Sequence, residues 1–155
     1  MSSTAFTPLE TDRLLLRRFH GGDLRPFLAY VNDPVVARYQ SWESYSEQRA
    51  VETIQRQESL TPGTPGQWFT FAREHQGRGM AFEAASRVLD YVFDDLGLHR
   101  VTAITDCENA QSVALLGRLG MRREGHFIQN IWFKGKWGSE YLYAILRDEW
   151  LKKRA

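Results

Sequence analysis

The chain predicts a single α/β domain, and three stretches carry that expectation. Ala81, Ala84, Ala85, Val88, Leu89, Val92, Phe93 and Leu96 recur at three- and four-residue spacing, which puts one apolar face on a helix running to about Asp95. Residues 100–105, Arg-Val-Thr-Ala-Ile-Thr, alternate as a strand does. Residues 125–133 and 137–146 flank Lys134-Gly135-Lys136 and read as a β-hairpin. At 155 residues the chain is long enough to bury a core without covalent staples, and 1–155 is read as one domain.

From the start, residues 1–8 are a loose lead-in, and residues 13–19 form a short apolar run that Gly21 and Gly22 cut off, as befits a first strand. Asp23 is placed to cap a helix that tolerates Pro26 in its first turn and buries Leu24, Phe27, Leu28 and Val31. Asn32-Asp33-Pro34 breaks that helix, and residues 35–39 form one further turn. Ser44 or Ser46 caps the next helix, with Ser44 and Glu47 at capping-box spacing and Ala50, Val51 and Ile54 facing inward. A turn-rich stretch, 59–66, leads into residues 68–72, whose aromatic and β-branched content reads as a strand. Beyond the central helix, Gly97 ends the periodicity. Asn109 caps a helix carrying Val113, Leu115, Leu116 and Leu119, which Gly120 closes; residues 148–153 form a last short helix.

Net charge is +1 with both signs interspersed, which argues against nucleic acid or a membrane surface as partner. The single cysteine, Cys107, excludes an intramolecular disulfide and fits a reducing compartment. Met1 to Pro8 has neither a basic nor an apolar leader segment, and no apolar run reaches membrane-spanning length, so the expected location is the cytoplasm. No metal-ligand cluster is visible, and no metal is expected.

Residues 73–79 form a glycine-containing turn that runs straight into the central helix. The first-turn N–H groups of a helix lack intrahelical partners and carry the positive end of its dipole, so a phosphate docked there satisfies both. Gly77 and Gly79 leave room for that approach and permit positive φ. Gln76-Gly77-Arg78-Gly79-Met80-Ala81 resembles the Gln/Arg-x-x-Gly-x-Gly/Ala signature of the Gcn5-related N-acetyltransferases. A second segment resembles the same family: Asn109-x-x-Ser112 opens a helix that ends in Leu119-Gly120-Met121. The opening Leu9-Glu-Thr-Asp-Arg-Leu-Leu-Leu-Arg-Arg18, Phe133-Lys-Gly-Lys-Trp137 and the spacing from Trp137 to Tyr143 are similar to the branch that acetylates ribosomal-protein N-termini and related amines.

The resemblance covers almost the whole chain. It implies a mixed, mostly antiparallel sheet flanked by helices, with acetyl-coenzyme A as co-substrate held through Gln76, Gly77, Arg78, Gly79, Met80, Ala81 and Asn109. It also implies direct acetyl transfer to an amine, either a protein N-terminus or a small molecule. Such a transfer needs a neutral amine, whose solution pKa is about 8 for an α-amino group and about 10.4 for a lysine. It needs an N–H donor for the thioester oxygen, and a proton donor for the leaving thiolate, for which Ser112 and Tyr143 are the candidates. His75, Glu124 and Glu140 are candidate bases, each with a solvated surface role as the alternative. Trp42, Trp68, Trp132 and Trp137 either line an acceptor pocket or pack.

One departure from the family pattern stands out. Ala72 is followed at once by Arg73, where family members insert further strands, on the order of 20 residues with their turns. One or two central strands are therefore missing here. Either residues 68–72 take their place, or a second copy of the chain supplies a strand in a swapped homodimer, or the natural chain is longer at this point. A non-catalytic acyl-coenzyme A binder is the alternative function.

Overall fold

The structure is a computed structural model that describes residues 6–40, 42–59 and 79–155. Its centre is an antiparallel sheet of β3 (Arg100–Asp106), β4 (Arg122–Phe133) and β5 (Lys136–Leu146) in the order β3-β5-β4. The hairpin forms as expected because Lys134 (φ 52°) and Gly135 (φ 74°) both take the left-handed conformation that a two-residue turn requires. β4 is bulged twice, between Arg123 and Gly125 and between Phe127 and Ile131, and Gln129 at φ 48° lies in the second bulge. The resulting register sets Thr105, Tyr141 and His126 side by side across the three strands.

One face of this sheet is covered by α4 (Met80–Asp90), a π-helical turn Tyr91–Asp95, and α5 (Ala110–Arg118). Alternation along β5 puts Tyr143 and Ile145 into a core with Leu89, Phe93, Leu119, Met121 and Trp150, and Tyr141 packs against its margin. Trp150 belongs to α6 (Arg147–Arg154), and its indole N–H donates to Asp90 Oδ1 at 2.9 Å. Gly97 (φ 64°) and Gly120 (φ 85°) end their helical segments in the left-handed region, where a side chain would be strained.

The N-terminal part departs from the sequence reading in two places. The strand expected over 13–19 is a two-residue pairing, β1 (Leu9–Glu10) against β2 (Leu15–Leu16), because the chain turns between Thr11 N–H and the Leu14 carbonyl at 2.9 Å. Asp23 does not cap α1 (Leu24–Val31). It ends a short 3-10 turn, Gly21–Asp23, and its carboxylate accepts from both Arg17 nitrogens at 2.7 Å and from His20 N–H at 3.0 Å. The Arg17 hydrogen bonds hold its pKa at about 2.

A carboxylate with a depressed pKa stabilises the fold above its unfolded value and loses that contribution as pH falls through the folded one. Asp23→Asn should therefore lower the urea midpoint at neutral pH and flatten the loss of stability between about pH 4 and pH 2.

The remaining elements follow the sequence closely. Asp33 caps α2 (Pro34–Ala37) by accepting from Val35 N–H at 2.8 Å. Of the two serines, Ser46 makes the cap of α3 (Glu47–Ser59), accepting from Arg49 N–H at 3.2 Å. Ala50 and Ile54 of α3 bury against Phe27 and Val31 of α1 in a second, smaller core. Trp42 packs at its edge and donates to the Val31 carbonyl at 3.0 Å, so its ring serves this core rather than an acceptor pocket. The hairpin reaches this layer through Lys134 Nζ, which donates to the Ala37 carbonyl.

Candidate functional site

The glycine turn ends at a conformation only glycine adopts readily: Gly79 stands at φ 76° and is the N-terminal boundary of α4, its carbonyl accepting from Glu83 N–H at 3.0 Å. Met80 and Ala81 form the first helical turn, half-buried. Gln76, Gly77, Arg78, His75, Trp68 and the strand expected at 68–72 lie outside the described residues. The turn between β1 and β2 is fastened to this helix start. Glu83 accepts from Thr11 Oγ1 at 2.6 Å and from Arg13 Nε at 2.7 Å, and these bonds, Thr11 first, hold its pKa below the ordinary carboxylate range. A Cβ placed on Gly79 would lie 3.7 Å from Arg13 Nη2, so a guanidinium stands beside the positive end of α4. A left-handed glycine at a helix N-terminus suits a phosphate group, and the Arg13 guanidinium beside it is ion-paired to Glu83.

At the other end of the sheet, β3 gives way to α5 through a tight turn. Asp106 Oδ1 accepts from Glu108 N–H at 2.7 Å, and Cys107 N–H is tied to the Ser139 carbonyl at 3.0 Å. Asn109 caps α5 as expected, its Oδ1 accepting from Ser112 N–H at 3.1 Å. That bond places Ser112 in the first turn of the helix, half-buried. Tyr143 is only 6% exposed and sits in the main core with Leu89 and Phe93. The two donor candidates thus occupy different surroundings, a helix start and a packed interior.

A cleft of about 270 Å³ opens beside this turn, and its lining joins Cys107 and Trp137 to His126 and Tyr141, which the sequence reading did not single out. His126 and Tyr141 face each other across β4 and β5 with ring centroids 4.8 Å apart, and the Arg123 guanidinium stacks over the Tyr141 ring at 4.5 Å. Cys107, Glu108, Lys136 and Trp137 complete the walls, with Lys136 Nζ 3.2 Å from Glu108 Oε2. Burial pushes the Cys107 thiol up, with Asp106 adding to the effect, which keeps it a thiol and disfavours a nucleophilic role.

The candidate bases separate cleanly. Glu124 is ion-paired to Arg100 and Arg122, and the Arg100 bond above all lowers its pKa, so it is a poor proton acceptor. Glu140 accepts from Asn130 Nδ2 at 2.6 Å. Trp132 and Trp137 stack edge to face at 5.3 Å with both rings more than half exposed, leaving Trp137 at the mouth of the cleft.

Comparison with known proteins agrees with this arrangement. The acetyltransferase (GNAT) domain profile matches residues 56–122. The uncharacterized N-acetyltransferase YnaD of Bacillus subtilis is 31% identical across 92% of this chain and 98% of its own length. The chain belongs to the GNAT acetyltransferase family. Among solved structures, a GNAT-family acetyltransferase from Bacillus anthracis superposes with a TM-score of 0.80 at 27% identity, over 92% of this chain and 99% of that one. A Vibrio cholerae spermidine N-acetyltransferase, solved with CoA and spermine, has the same fold: TM-score 0.74 at 22% identity, covering 87% and 96%. This acetyltransferase uses acetyl-CoA as its acetyl donor.

The expected shortfall of strands has a counterpart here. The alignment with YnaD runs over 167 positions while taking in 92% of a 155-residue chain. YnaD thus carries, inside the aligned span, on the order of 20 residues with no counterpart in this acetyltransferase, about two strands and their turns.

Proposed function

We propose that this acetyltransferase moves the acetyl group of acetyl-CoA directly to a primary amine. The backbone of Gln76, Gly77, Arg78, Gly79, Met80 and Ala81 holds the coenzyme pyrophosphate, and Asn109 contacts the coenzyme while capping α5. The observation that carries this reading is Gly79 at φ 76° opening α4, a left-handed start at a helix N-terminus, where an anion is favoured. Acetyl-CoA supplies an activated carbonyl, and the chain's own groups supply the proton transfers. Two acceptor classes are in view. One is a polyamine, by likeness to the Vibrio cholerae neighbour solved with spermine; the other is a protein N-terminus, by likeness to the branch resembled in sequence.

The test is incubation of the purified protein with acetyl-CoA and, separately, spermidine or a peptide with an N-terminal alanine, with the product read by mass. Acetylated product is the expected result. Coenzyme binding without any acetylated product would favour a non-catalytic acyl-CoA binder, the reading that the shorter chain supports.

Within the enzyme, Ser112→Ala and Tyr143→Phe separate the two donors. The residue that protonates the leaving thiolate should lose at least about tenfold in kcat, roughly 1.4 kcal/mol of barrier, when its hydroxyl is removed. If both variants keep full turnover, neither hydroxyl is the acid.

A further inference from the structure

We infer that His126 is the base that takes the proton from the acceptor ammonium, in the cleft between the end of β3 and the β4–β5 hairpin. This rests on the acetyltransferase reading above. Three observations meet there. The cleft adjoins the turn that leads directly to Asn109 and Ser112, the segment assigned to the coenzyme and the leaving group. His126 is an imidazole in its wall, and imidazole is the side chain that ordinarily exchanges protons near neutrality. The rival carboxylate Glu124 is held by two arginines, and Glu140 is engaged by Asn130.

Register fixes the ring in place. His126 lies opposite Tyr141, and the two rings are in contact at 4.8 Å. The groups that face it from the packed elements are Asp106, Cys107 and Glu108 at the end of β3 and Lys136 and Tyr141 on β5, with Arg123 of its own strand stacked on Tyr141. Asp106 is the carboxylate of this wall outside the Lys136–Glu108 ion pair, and the exposed Trp137 offers an aromatic surface to the acceptor.

The chemistry balances without any further reactant. An imidazole nitrogen of His126 accepts one proton from the ammonium. The freed nitrogen lone pair forms the bond to the thioester carbonyl carbon, and the carbon–sulfur bond breaks as the carbonyl re-forms. The leaving thiolate takes a proton from the donor hydroxyl, and the second proton of the nitrogen restores that hydroxyl, so amide and thiol form. The imidazolium then releases its proton to solvent.

The experiment compares wild type with His126→Gln and His126→Ala, using whichever of spermidine or the alanine peptide the wild type acetylates. Both variants should lose on the order of 100-fold in kcat/KM and lose the acid limb of its pH profile, and added imidazole should restore part of the activity of His126→Ala. A second readout needs no turnover. With coenzyme A present, the acceptor should shift the imidazole proton resonance that disappears in His126→Gln. Variants within about threefold of wild type with an unchanged acid limb, or an imidazole resonance that the acceptor leaves in place, would overturn the assignment of the base alone. A wild type that acetylates neither probe would overturn the function and this inference with it.

Discussion

Gly79→Leu should raise the dissociation constant for coenzyme A at least about 100-fold, measured by calorimetry, while the far-ultraviolet spectrum stays that of the native protein. Two effects act together. Gly79 stands at φ 76°, where a side chain costs on the order of 1–2 kcal/mol, so the substituted turn relaxes away from the geometry that aims its amides at one anion. A leucine side chain would also occupy space at the mouth of the helix. Among the described residues the Cβ itself meets nothing closer than Arg13 Nη2 at 3.7 Å, an ordinary contact, so the fold should accept the residue while the ligand does not. An affinity equal to that of wild type would sink the assignment of this turn to the pyrophosphate.

Phe93→Ala should have the largest effect on stability. Phe93 is fully buried in the π-helical turn after α4, amid Leu89, Leu119, Tyr143 and Ile145. Truncating a buried phenylalanine typically costs about 3–5 kcal/mol through lost transfer energy and the cavity left behind. Against a total stability of about 5–15 kcal/mol that is a large fraction, and denaturant unfolding should show a midpoint far below wild type with an unchanged slope. A loss under about 1 kcal/mol would mean that the surrounding helices collapse onto the space.

On the proposed reading, coenzyme affinity and stability have separate centres at the two ends of α4. Its N-terminus begins at a left-handed glycine, and its C-terminal extension carries the fully buried Phe93. Gly79→Leu should cost stability no more than its backbone strain, on the order of 1–2 kcal/mol, and substitutions at the second end should act on affinity only through the fraction folded.

By itself the sequence determined the elements whose signals are local. The apolar periodicity of α4, the Asn109 cap, the left-handed Gly120 and the Lys134-Gly135 turn depend on residues within one or two turns of each other, so neighbouring letters carry them. The family followed from two such motifs at the right separation.

Only the tertiary structure decided which side chains meet. Counted straight from the Trp132–Trp137 pair, His126 would fall opposite Tyr143; the bulge between Phe127 and Ile131 moves it opposite Tyr141 and into the cleft. Asp23 carries every local mark of a helix cap, yet two hydrogen bonds from Arg17 outcompete that role. Arg13 and Glu83 are 70 positions apart and join at the start of α4 only because β1 and β2 fold back onto it. Bulges and long-range ion pairs are settled by packing across the whole domain, where several distant elements must be satisfied at once, and no window of neighbouring residues contains that condition.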